Sequence, residues 1–149
     1  MKKYIIVYAI LIISLLTGCK SKSNESNEKN EYANSLSKSQ KIEIRIAENE
    51  EIYLIDEKKD IEGFIKKIKV DRWELKELPE DAEVAREYIF YQSETVKPSD
   101  ETNNNDDIYE AARLITYKDI PYINFTMDDL EFSFLIAEET AQYLNTLGD

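Results

Sequence analysis

The sequence predicts an α+β fold: an antiparallel sheet of about six to seven strands, with two helices packed on one face. Three observations lead there. Apolar residues alternate with polar ones over short runs, separated by turns rather than by the long crossovers that parallel strands need. Two segments, one early and one last, change instead to the 3.6-residue spacing of an amphipathic helix. The stretch carrying these patterns, Lys41 to Asp149, has 109 residues, enough for one modest core.

The elements follow in order. Lys41 to Ala47 (KIEIRIA) sets Ile42, Ile44 and Ile46 on one side of a strand. Glu48 to Glu51 reads as a turn, and Ile52 to Ile55 as a second strand. Asp56 is the expected N-cap of a helix through about Ile68. Within it Ile61, Phe64, Ile65 and Ile68 form one apolar stripe, and Gly63 weakens the helix. From Arg72 to Leu78, Trp73 and Leu75 alternate with charged residues, a strand ended by Pro79. Val84 to Gln92 reads as a longer strand. Residues 93–107 (SETVKPSDETNNNDD) then predict an exposed, mobile acidic loop. Strand character resumes at about Ala111 to Tyr117 and at Pro121 to Thr126, where Pro121 fits the first residue of an edge strand. Met127 to Asp129 turns into a strand with Leu130, Phe132, Phe134 and Ile136 on one face. Glu138 to Leu147 closes the chain as a helix.

Composition excludes several chemistries. The 149 residues include no His, one Cys, and 19 Lys and Arg against 31 Asp and Glu, a net charge of −12. Without His there is no His-based triad and no ordinary zinc site. A single Cys cannot close an intramolecular disulfide. The acidic balance argues against a nucleic-acid partner, since polyanions are bound by clustered Lys and Arg.

The N-terminus is the most specific part of the chain. Met1-Lys2-Lys3 precedes an apolar run from Tyr4 to Leu16 (YIIVYAILIISLL). Thirteen helical residues reach about 20 Å, short of the roughly 30 Å hydrocarbon core, so the segment reads as an export signal rather than a permanent span. Leu16-Thr17-Gly18-Cys19 follows, and this resembles the lipobox of bacterial lipoproteins. The resemblance implies a diacylglyceryl group on Cys19, cleavage between Gly18 and Cys19, and anchoring on the extracytoplasmic face of the cell membrane. Lys20 at the next position, and the Lys, Ile, Asn and Glu-rich usage, resemble small uncharacterised lipoproteins of low-GC Gram-positive bacteria. The domains expected are a signal peptide over 1–18, the lipidated Cys and a flexible tether over 19–40, and a single domain over 41–149. Removing the signal also removes Lys2 and Lys3, leaving 17 basic against 31 acidic residues and a net charge of −14.

Three further features bear on function. Asp100 to Asp107 offers oxygen ligands but has neither EF-hand spacing nor the turn Gly, so a solvated acidic loop is the better reading and no metal site is expected. Tyrosines are dense on the predicted strands, and Tyr88, Tyr91, Tyr117 and Tyr122 are the candidate interface residues. No nucleophile, base or paired acid can be selected from the pattern, so no catalytic residue, enzymatic activity or cofactor is expected. The reading is a non-catalytic accessory lipoprotein that binds another protein. The alternatives are an inhibitor or immunity-type lipoprotein capturing a cationic protein or peptide, and a small-ligand-binding lipoprotein.

Overall fold

The computed structural model describes residues 31–93 and 108–148. Among them seven strands form one antiparallel sheet: β1 (Lys41–Ile46), β2 (Ile52–Ile55), β3 (Glu74–Leu75), β4 (Val84–Ser93), β5 (Ile108–Tyr117), β6 (Tyr122–Met127) and β7 (Leu130–Leu135). Helices are α1 (residues 31–36), α2 (Lys58–Ile68) and α3 (Glu138–Thr146). The spatial order is β2-β1-β4-β5-β6-β7-β3. The fold is therefore α+β. Strands β4 to β7 form a meander, and the β1–β2 hairpin extends it on one side. The connection after β2, which contains α2, then carries the chain across the width of the sheet, and the two-residue β3 pairs with β7 at the far edge.

Register explains the core. Ile42 lies opposite Phe90 and Ile44 opposite Tyr88, while Tyr88 in turn faces Leu114, and Leu114 faces Phe125. Because side chains alternate, these residues share one face of the sheet, and all are buried. The ring of Phe64, from α2, lies 5.4 Å from Tyr88 and 6.0 Å from Phe90. The Tyr88 hydroxyl donates to the Leu144 carbonyl of α3. Gly63 sits on the exposed side of α2, with nothing within 4 Å of where a Cβ would stand. Gly63→Ala is accordingly expected to raise stability by about 1 kcal/mol. On a domain of this size that is about 4–8 °C in a thermal melt.

Several expectations need correction. The tether does not run to residue 40. Residues 31–36 are helical, Leu36 is fully buried, and the Tyr32 ring lies 5.4 Å from that of Phe125. A single Leu in a polar stretch has no periodicity, yet it fills a place in the core. Glu57, not Asp56, occupies the N-cap of α2, and no side chain caps that end. The strand expected from Arg72 to Leu78 shrinks to Glu74–Leu75. Val70–Arg72 forms a 3-10 turn that turns Trp73 into the core, where its indole N–H donates to the Ile68 carbonyl at 2.9 Å. Leu75 is left exposed. Pro121 does not begin an edge strand. It immediately precedes β6, which has neighbours on both sides, and its carbonyl accepts from the Ile136 N–H at 2.9 Å. The β6–β7 turn holds: Met127 pairs with Leu130, and Asp128 and Asp129 both have positive φ, as a two-residue type I′ hairpin requires. Ser93 ends β4, and the rest of the acidic loop lies outside the described residues, as do Gly18 and Cys19.

Candidate interaction surface

The second face of the sheet is built by the alternate residues of the same strands. Glu43 lies between Leu54 and Ile89 in register, and Arg45 between Ile52 and Glu87. On the other side of β4, Ile89 faces Arg113 and Tyr91 faces Glu110. The last of these depends on an irregularity. Phe90 pairs with Ala112 and Tyr91 with Glu110, so Ala111 is an extra residue in β5. Residues three apart on a regular strand point to opposite faces. The bulge reverses that parity and brings Glu110 and Arg113 to the same face.

The result is a continuous ladder of ion pairs. The Arg45 guanidinium holds Glu43 at 2.7 Å and reaches Glu87 at 3.5 Å. Arg113 reaches the other oxygen of Glu87 at 2.5 Å and grips Glu110 through two parallel bonds of 2.8 Å. Five charges thus alternate in sign across three strands. Beneath them Ile89 is 1% exposed, covered although it lies on the second face. Ion pairs and the stems of long side chains supply the cover that apolar packing gives on the other face. Arg113, hydrogen-bonded chiefly to Glu110, holds that carboxyl below its ordinary value and is itself held further protonated. Tyr91 is half-buried at one end of the ladder, with the Lys41 ammonium 4.2 Å from its ring centre. Burial raises its hydroxyl pKa first, and the nearby Glu43 second.

A carboxylate whose pKa is lowered by folding stabilises the native state above its unfolded value and loses that contribution as pH falls through the lowered one. For Glu110 the reference is 4.5, so the loss falls below that pH. Urea midpoints of the wild type measured at pH 5, 4 and 3 are expected to decline more steeply than those of Arg113→Gln, in which Glu110 has no guanidinium to hold. Parallel declines would mean that the pair adds nothing.

The four candidate tyrosines do not gather into one patch. Tyr88 is fully buried on the core face, between Phe64 and the end of α3, and cannot serve an interface. Tyr91, Tyr117 and Tyr122 lie on the second face by register, but Tyr91 is at the opposite end of the β4–β5 hairpin from Tyr117. Tyr117 is only 5% exposed, and burial, then Glu131, raises its pKa. It too is withdrawn from contact. Tyr122 is half-buried.

Sequence reasoning missed the more accessible part of this face. Ile52 and Leu54, on β2, are 59% and 57% exposed. Their alternation with Tyr53 and Ile55 was a legible signal, since one side of so short a strand must face water. A separate half-open cleft of about 350 Å³ lies between residues 37–40 and the first turn of α2, lined by Ser39, Asp56, Lys58 and Glu62 among others. Ser39 Oγ is buried there, with no hydrogen-bond partner among the described residues. Comparison with known proteins gives no matching family model, no similar curated protein and no similar solved structure.

Proposed function

We propose that the protein is a membrane-anchored extracytoplasmic lipoprotein, held by a diacylglyceryl group on Cys19, and that its domain is a non-catalytic accessory module that docks another protein. The anchoring half rests on Leu16-Thr17-Gly18-Cys19 behind its apolar run. Two acyl chains give durable attachment where one is marginal. A single observation carries the docking half. The middle of the second sheet face is closed by its own ion pairs, whereas Ile52 and Leu54 at its margin stand more than half exposed, with no apolar cover among the described residues. Exposed apolar residues grouped beside a polar surround are what protein interfaces use.

Membrane fractionation tests the first half. Wild type should sediment with membranes as a processed, lipid-labelled species, and Cys19→Ala should appear unlabelled, as unprocessed precursor or shed protein. A mutant processed and retained like wild type would refute the anchor. For the second half, a photo-crosslinking side chain at position 54 should give one dominant adduct in cells, and the same group at Glu62, on α2, should give none. Equal yields from both positions, or none from either, would refute docking at this face.

A further inference from the structure

We infer that the outer edge of β2 is a strand-addition site for an extended, basic segment of the partner; this rests on the docking reading and specifies its mode and chemistry. Ile46 N–H donates to the Glu51 carbonyl at 3.0 Å, which fixes the phase of the β1–β2 ladder. In an antiparallel pair, bonded and non-bonded positions alternate. Glu51, Tyr53 and Ile55 therefore turn their backbone groups toward β1, and Ile52 and Leu54 turn theirs outward. Among the described residues no strand lies beyond β2.

The same two residues thus offer outward N–H and C=O groups and exposed apolar side chains on the second face. An incoming strand could pair with the first and lay its own apolar residues beside the second, which is how sheet edges bind extended peptides. Proteins usually blunt such an edge with Lys, Pro or a bulge. Ile52–Ile55 has none of these and is guarded within the strand by its brevity.

Charge selects the occupant. Glu50 and Glu51 precede the strand, and Asp56 and Glu57 follow it. A second copy pairing antiparallel would set the acidic start of one strand beside the acidic end of the other, which is repulsive at both ends. A segment with apolar residues in the middle and Lys or Arg at its ends is complementary at both. The net charge of −14 after signal removal would speed its approach and make the encounter salt-dependent.

The test uses full-length lipidated protein in detergent micelles and a fluorescent nonapeptide of alternating valine and threonine with two lysines at each end, followed by anisotropy. Saturable binding is expected, weakened at least tenfold by replacing the lysines with glutamates. Methylating the alternate peptide amides that would face the edge should weaken it at least tenfold as well, with no change to the protein. On the protein side, Leu54→Pro removes an outward N–H without breaking a bond to β1, and Leu54→Lys places a repelling charge. Each should abolish binding while retaining the wild-type circular dichroism. Binding indifferent to amide methylation or to end charge overturns strand addition, as does no binding at millimolar peptide or a β2-dependent dimer in sedimentation. In those cases a position-specific crosslink at 54 would leave docking itself standing, whereas loss of that crosslink would remove both.

Discussion

Trp73→Ala is expected to destabilise the domain by about 3–5 kcal/mol, a large part of the 5–15 kcal/mol that holds a typical domain folded. The indole is 1% exposed, with ring centroids of Phe125 and Phe134 at 5.5 and 5.4 Å. It is also the residue at which the chain leaves α2 for the far edge of the sheet. Truncation removes the ring stacking and leaves a cavity shared by β6, β7 and the end of α2. Trp73→Phe should cost less, because a ring remains, although the hydrogen bond to Ile68 and part of the buried volume are lost. As Trp73 is the sole tryptophan, urea unfolding would be followed by circular dichroism. Leu75→Ala is the control: Leu75 is two residues away and 66% exposed, and the change should shift the midpoint little. Equal effects at the two positions would mean that Trp73 is not in the core.

A second large effect is expected where the sequence offered least warning. Leu36→Ala should cost about 2–5 kcal/mol, because the side chain is fully buried within the main core cluster. Deleting residues 31–40 should cost more. It also removes Tyr32 from Phe125 and Phe132, the Gln40 N–H bond to the Tyr91 carbonyl at 2.9 Å, and the Ser35 carbonyl that accepts from the Gln92 side chain. Denaturant midpoints of the two variants beside the wild type would measure this. A chain starting at Lys41 with wild-type stability would restore the boundary read from composition.

These two sites show what was legible and what was not. Ile42, Ile44 and Ile46 alternate with the charged Glu43 and Arg45, and Phe132 and Phe134 with the polar Glu131 and Ser133; local pattern alone placed both strands and the side on which these residues turn inward. Trp73 and Leu75 alternate equally well, but no local signal says that a 3-10 turn precedes them or that only the first is covered. Leu36 belongs to no pattern at all; its burial depends on a core assembled by the strands and helices that follow it in the chain. The same holds for the interaction surface. Alternation showed that some tyrosines must face away from the core, yet whether Tyr88 or Tyr91 did so depended on the strand's phase. The pairing of Glu110 with Arg113 depended on an extra residue at Ala111, which composition cannot reveal.

The connection from β2 to β3, which carries the chain from one edge of the sheet to the other, has a consequence for how the chain is made. Strand β3 pairs with residues Phe134 and Leu135, some sixty positions later, and Trp73 packs against rings that lie still within β6 and β7. A ribosome delivering the chain from its N-terminus therefore releases the indole well before its ring partners Phe125 and Phe134 exist. Loop closure over such separations is paid before the contacts return it, so folding should be slow for a domain of this length. Completion of the core waits for α3, whose Ala141 and Leu144 are buried in it, and until then the nascent chain exposes apolar surface to whatever accompanies it.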